Sequence, residues 1–203
     1  MKTKTIGLSI LAATFFSGMQ GQDGQDLDIG NVRARINPDG LLFAGVVNDT
    51  VVNPGFEAPL DSGIHTMFGA NLWFAGIDPG GQLHVAAQTY KQNGLEFQPG
   101  PLDTTTISLD SLTSLTWKKT WKVNKLTVDS CMAGHALGTS SAALVQSWPA
   151  VGTGNYSRKL APFYDNNNNG LYDPIISGGG DCPCIKGDQA IYFIYNDARV
   201  HRE

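Results

Sequence analysis

Apolar and polar residues alternate from Asn31 to Ile36, with Val32, Ala34 and Ile36 on one side and Asn31, Arg33 and Arg35 on the other. Period-two alternation is the mark of a strand with one buried face. The turn sequence Asn37-Pro38-Asp39-Gly40 and the apolar stretch from Leu41 to Val47 complete a predicted hairpin. A second hairpin is predicted where Thr66 to Gly76 carries Phe68, Ala70, Leu72 and Phe74, Asp78-Pro79-Gly80-Gly81 turns the chain, and Gln82 to Tyr90 returns with Leu83, Val85 and Ala87. Between them, Asn53-Pro54-Gly55 and Phe56-Glu57-Ala58-Pro59 space their prolines too closely for regular structure. Gly94 to Pro101 is a further turn region, and Thr104 to Thr116 reads as strand or exposed loop. Periodicity leaves Trp117 to Leu126 open between strand and short helix. Ser140 to Trp148 is helix-compatible and stops at Pro149, whereas Ala190 to Tyr195 is a dense run of β-formers. The fold class predicted is mainly β: a β-sandwich-like module of short antiparallel strands with one or two short helices. The 24 Gly, 10 Pro and only 16% charged residues fit many tight turns better than a helical bundle.

The N-terminus departs from this pattern. Basic Met1-Lys2-Thr3-Lys4 leads into an apolar run from Ile6 to Phe16, then into Ser17-Gly18-Met19-Gln20-Gly21-Gln22, the layout of a secretory signal peptide. The apolar run is far short of the ~20 residues that span a bilayer. Residues 1–21 are therefore expected to be removed, leaving 22–203 as a single β-rich extracytoplasmic module with no transmembrane segment. Loss of Lys2 and Lys4 takes the formal charge from −4 to −6. A mildly acidic chain has no electrostatic case for nucleic acid.

The three cysteines are Cys131, Cys182 and Cys184. Closing Cys182-Pro183-Cys184 on itself needs a strained small ring, so a bridge from Cys131 to one of the pair is expected, with free thiols the alternative. Zinc needs about four ligands, and the four histidines show no spacing that completes a site.

The sharpest local motif is Asp165-Asn166-Asn167-Asn168-Asn169-Gly170-Leu171-Tyr172-Asp173. Oxygen side chains at loop positions 1, 3 and 5, glycine at 6 and an acid at 9 are the arrangement by which a short loop wraps Ca²⁺. Asp165, Asn167 and Asn169 would supply side-chain oxygens, Leu171 its carbonyl, and Asp173 a direct or water-mediated contact. The acid usual at position 12 is replaced by Ile176, so Asp181 or Asp188 is expected to close the shell. The competing reading is an Asn/Gly turn whose side chains bond their own backbone. No comparable pattern marks catalysis, because the chain lacks a nucleophile elbow, an H-E-x-x-H helix and a phosphate loop. Asp110, Glu57 and Glu96 read as solvated acids, and His65 and His84 as structural residues on paired strands. Trp73, Phe74, Trp117, Trp121 and Trp148 read first as core and second as a sugar-stacking platform.

Several strings together resemble the N-terminal region of large surface or secreted proteins exported by the type IX secretion system. They are Asn31 to Ile36, Phe56-Glu57-Ala58-Pro59, Asn71 to Gly76, Ala86 to Tyr90, Gly100-Pro101-Leu102, Trp148-Pro149-Ala150, Ala161 to Asp165 and Lys186 to Ala190. The resemblance runs over about residues 28 to 197 and implies that the secretion machinery is a partner and that the location is extracellular or at the cell surface. Members usually continue into a C-terminal β-sandwich sorting domain, so the chain is expected to be an N-terminal fragment, and periplasmic if complete as written. The function expected is a non-catalytic, calcium-stabilised structural or adhesive module facing an extracellular glycan or protein surface. The alternatives are a glycan-binding module, or part of a secreted glycan-active hydrolase whose acids converge only in space. Asp49-Thr50-Val51, Asp103-Thr104-Thr105 and Asp110-Ser111-Leu112 also resemble the O-glycosylation sequon of the same bacterial phylum.

Overall fold

A computed structural model describes residues 24–47, 50–87, 97–175 and 177–198. The signal-peptide reading at 1–21 lies outside them, as do Asp49, Glu96, Ile176 and the Gln88 to Tyr90 end of the second predicted hairpin. Strand outweighs helix, as a mainly β class requires. The strands of the N-terminal half are β1 (Gln25–Leu27), β2 (Arg33–Ile36), β3 (Leu41–Leu42), β4 (Ala44–Val47), β5 (Thr50–Pro54), β6 (Phe56–Glu57), β7 (His65–Met67), β8 (Ala70–Asn71), β9 (Trp73–Ile77) and β10 (Leu83–Ala87). The second half begins with β11 (Gln98–Pro99), α1 (Ser111–Trp117), β12 (Trp121–Asn124), α2 (Lys125–Met132) and α3 (Thr139–Gln146). It ends with β13 (Phe163–Tyr164), β14 (Cys182–Pro183), β15 (Gln189–Tyr192) and β16 (Tyr195–Asn196). All strand pairings among the described residues are antiparallel. One sheet runs β7-β6-β2-β3-β8 with β1 also on β2, and the remaining strands form two-stranded ribbons.

Both predicted hairpins are present. In the first, Ile36 pairs with Leu42, and Asn37 holds the turn from inside: its buried amide donates to the Leu41 and Ala44 carbonyls, each at 2.9 Å. In the second, β9 pairs with β10 from Trp73 opposite Ala87 to Ile77 opposite Leu83. The strand predicted over Thr66 to Gly76 is divided among β7, β8 and β9. The supposedly irregular stretch around Pro54 to Pro59 carries strand residues. Pro54 closes β5 where its missing N–H costs nothing, and Phe56 and Glu57 pair with Ala34 and Arg33 before the cis Ala58-Pro59 bond.

The C-terminal half packs around Trp121, Val123, Val128, Trp148, Ala150 and Ala161. Their indoles are satisfied as buried N–H groups require, Trp121 by the Ser147 carbonyl at 2.8 Å and Trp148 by the Pro162 carbonyl at 3.0 Å. Trp117 to Leu126, ambiguous in sequence, resolves into the end of α1, all of β12 and the start of α2. Three helices are described, against the one or two predicted. The unexpected α1 begins at Asp110, whose carboxylate accepts from the Leu112 and Thr113 N–H groups. The N-terminal segment ties the two halves: Gln25 donates to the Thr120 carbonyl, and Asp28 accepts from Lys122 at 2.6 Å and Gln189 at 3.1 Å.

Candidate cation-binding loop

Residues 165–181 leave and rejoin the fold at one point. At their base β13 pairs with β14, Tyr164 opposite Cys182. Cys182 is joined to Cys131 of α2 by a disulfide, which resolves the open pairing of the three cysteines. Cys184 is a half-buried free thiol. Its hydrogen bond with Tyr164 pushes that phenol's pKa upward. Beyond the base, Gly178 crosses beneath the end of α2. A Cβ there would lie 2.0 Å from the Gly134 carbonyl oxygen, and its φ of +111° is one that side chains rarely adopt.

Within the loop four of the side chains expected as ligands share one hydrogen-bond network. The two Asp165 oxygens accept from Asn169 N–H at 3.2 Å and Gly170 N–H at 2.8 Å. Asn167 Oδ1 accepts from the Asn169 N–H at 3.0 Å, and Asn169 Oδ1 from the Leu171 N–H at 2.7 Å. Asp173 receives the Asn167 amide at 3.0 Å and the Asn169 amide at 3.5 Å on one oxygen. Gly170 takes a φ of +73° to make the turn. Asp165, Asn167, Asn169 and Asp173 thus form one hydrogen-bonded cluster, with the Leu171 backbone attached through Asn169.

Asp181 meets the loop from beyond it. Its side chain is almost fully buried, and its two oxygens accept backbone N–H groups from Asn166 at 2.8 Å and Asp173 at 3.1 Å. Both oxygens face the loop backbone, so Asp181 clamps loop positions 2 and 9. Asn166 adds a bond to the Gly180 carbonyl at 2.7 Å. Asp188 lies elsewhere, beside a cavity of about 240 Å³ with Lys125, Asp129 and Tyr164. Tyr172 fastens the loop to α3 through its hydroxyl, which donates to the Val145 carbonyl at 2.6 Å, while its ring meets Phe163 at 5.3 Å. Burial, with the Asp181 charge adding to it, pushes its pKa well above the ordinary tyrosine value.

The donor set is two carboxylates and neutral oxygens. Among the described residues no three His, Cys, Asp or Glu side chains gather, and an all-oxygen set of low charge matches a hard cation. The aromatic platform divides: Trp121 and Trp148 are core, whereas Trp73 is 69% exposed. His65 and His84 do not share a strand pair. His65 sits opposite Glu57, and His84 opposite Gly76 with its ring 3.1 Å from Asp78. Glu57 is buried and accepts from Arg33 and from the Gly63 N–H, each at 2.7 Å, so it is a structural acid and not a solvated one. Asp110 caps α1 and Asp103 a local turn; the Thr104 hydroxyl donates to the Asn155 carbonyl and Ser111 is exposed.

Fold and loop together define a mainly β, disulfide-closed module bearing an oxygen-lined loop. Compared with known protein families, with characterised proteins and with solved structures, the chain matches none.

Proposed function

We propose that this chain is a non-catalytic structural or adhesive module of an exported surface protein, steadied by Ca²⁺ at the 165–173 loop. The observation that carries the reading is the convergence of Asp165, Asn167, Asn169 and Asp173 on one turn clamped from behind by Asp181. Amide and carboxylate oxygens have two lone pairs, so those bonded to a backbone N–H retain a second for a cation. The two amide groups that now donate to Asp173 would turn aside. Their hydrogen bonds are exposed and cheap to exchange. Export is supported by the order of basic, apolar and small residues in the first 21 positions, and the surface location by the resemblance to type IX cargo. Among the described residues no helix is long and apolar enough to cross a membrane.

Two carboxylates predict weak affinity, in the ~10⁻⁴ to 10⁻³ M range of extracellular modules. A cation at ten times its Kd adds about 1.4 kcal/mol, which raises the melting temperature of a chain this size by roughly 3–6 °C. The test is thermal melting of the purified chain in chelator and in millimolar Ca²⁺, with Asp165→Ala beside it. The wild type is expected to gain in Ca²⁺ and the variant to gain nothing. A folded wild type whose melting curve ignores Ca²⁺ leaves the loop as a self-bonded Asn turn and ends the calcium reading.

A further inference from the structure

Alternation gives β2 an apolar side and a charged one. Ala34 and Ile36 are buried on the first, and Arg33 and Arg35 stand on the second. The register carries the charged row across four strands: Asp26 of β1 lies opposite Arg35, Glu57 of β6 opposite Arg33, and His65 of β7 opposite Glu57. An antiparallel sheet usually turns such a face to open water. Here a second wall stands against it. Arg35 donates its N–H to the Gly55 carbonyl at 2.8 Å and accepts from the Phe43 N–H at 2.7 Å, which fastens both ends of the β4–β5 ribbon to β2. Glycine is required at 55, since a Cβ there would lie 2.7 Å from the Arg35 Cβ. Gly45, Pro54 and Gly55 of the ribbon and the charged row of the sheet together line a cavity of about 210 Å³.

The bonding state of the lining selects what the cavity can hold. Glu57 is buried and accepts on both oxygens, from Arg33 and from the Gly63 N–H, each at 2.7 Å. The other end of the Arg33 guanidinium is taken by Asp61 at 2.6 Å, outside the lining. Arg35 is held more loosely. Its Nη1 stands 3.4 Å from Asp26, beyond the ~2.7–2.9 Å of a closed charge-assisted pair. Within the lining, the two guanidinium charges are matched by the two carboxylates. An ionic ligand would therefore meet a charge of its own sign for each opposite one, and would have to draw a carboxylate away from its arginine. An apolar ligand would strip water from four charges without replacing it. A hydroxyl both donates and accepts. It can take an N–H from Arg35 and give its own proton to Asp26, bridging the 3.4 Å gap while every ion pair stays closed.

We propose that this cavity binds one neutral, hydroxyl-rich sugar ring, either free or at the end of a glycan chain. Its volume, about 210 Å³, lies below the ~300–1,000 Å³ of sites for drug-sized ligands. That is room for one ring. Pro54 gives the C–H edge of the ring an apolar neighbour, and the charged row opposite supplies donors and acceptors in alternation. The mouth is wide enough for entry, since Arg33 and Arg35 keep 40% and 30% of their side chains exposed. Recognition here runs through hydroxyls and ion pairs, not through a tryptophan face, and it is independent of the 165–173 loop.

The experiment is an amide NMR titration of the purified chain with glucose, galactose and mannose in turn, in chelator so that the 165–173 loop stays free of cation. At least one hexose is expected to shift amides of β1, β2 and β6 with a midpoint on the order of 1 mM, the affinity a ligand of this size reaches. Arg35→Met and Asp26→Leu remove a donor and an acceptor at similar volume. Each should stay folded by circular dichroism and weaken binding at least ~10-fold. Glucuronate and glycine, an anion and a zwitterion, should bind the wild type at least ~10-fold more weakly than that hexose. Trp73→Ala should leave the midpoint unchanged. The methyl glycoside of the bound hexose separates the two sources: equal affinity assigns the cavity to a chain end, and loss of binding assigns it to the free sugar. A wild-type chain whose amides ignore all three hexoses up to ~50 mM overturns the proposal. So does glucuronate or glycine binding more tightly than the hexoses, or binding that survives Arg35→Met and is lost in Trp73→Ala.

Discussion

Removing the Cys131–Cys182 disulfide should cost this fold about a third or more of an ordinary domain's stability. The bridge joins residues 51 apart in sequence, and cross-linking a loop of that length withdraws about 4 kcal/mol of chain entropy from the unfolded state at 25 °C. Both cysteines are buried, so replacement by alanine adds a small packing loss in the folded state. The perturbation is the double variant Cys131→Ala/Cys182→Ala, made with Cys184→Ser so that the free thiol cannot exchange with its neighbours. Urea denaturation of the two chains, oxidised parent and double variant, is the assay. A loss of about 4 kcal/mol corresponds to roughly 8–16 °C in melting temperature for a domain of this size. The urea slope should also rise, because an uncrosslinked unfolded chain exposes more surface. A variant that loses less than about 1 kcal/mol with an unchanged slope would refute the assignment of the bridge as a restraint on the unfolded chain.

Asp28 supplies a pH-dependent contribution. Its hydrogen bond from Lys122, above all, holds its pKa below the ordinary value, so the stability it adds is complete above that value and is lost as pH falls through the lowered one. The stability advantage of wild type over Lys122→Met should therefore hold constant above about pH 5 and shrink below about pH 4, and an NMR titration should show Asp28 moving up toward ~3.9 in the variant. Asp181→Ala removes the acceptor of two backbone N–H bonds and should cost about 2–4 kcal/mol in urea denaturation; a loss within ~0.5 kcal/mol would mean that the clamp is not formed. Gly178→Ala meets both a forbidden φ and the Gly134 carbonyl, and a loss of at least about 2 kcal/mol is expected by the same measurement.

What was legible in the sequence followed from whether side chains repeat a simple pattern. The hairpins at Arg33–Leu42 and Trp73–Ala87 announced themselves by alternation and by turn residues, and α3 by its composition and Pro149. Helix α1 was hidden because it reverses the usual amphipathic rule. Leu112 and Leu115 point outward at 77% and 65% exposure, while the buried position is Ser114, whose hydroxyl donates to the Pro99 carbonyl. Only the Asp110 cap marked it, and a single aspartate before a Thr-rich stretch is weak signal. The loop oxygens could be placed from spacing alone because a nine-residue motif sets its own geometry. Asp181 could not, since its role depends on β13 and β14 bringing the chain back beside Asn166 and Asp173. Likewise, the choice of Cys182 over Cys184 rests on how β14 packs against α2, which no spacing encodes.

The anchoring of the loop also determines what a cation there would do. Its base is closed by strand pairing, its middle by Asp181, its far side by the Tyr172 bond to α3, and its return by the disulfide to α2. Ordering a backbone residue costs roughly 1–2 kcal/mol, and these attachments within the chain offset part of that cost independently of any ion. A metal-folded domain behaves oppositely, since its ligands assemble only when the ion binds and the binding energy is the folding energy. The 165–173 loop has its turn set at Gly170 and is held by these four attachments, so Ca²⁺ would add a modest increment to a fold supported elsewhere. Low charge and anchoring would act together: two carboxylates would keep affinity weak, and a loop tied at four places would limit how far binding could reshape the molecule. Such a loop would stiffen a module at the millimolar Ca²⁺ found outside cells and would make a poor switch.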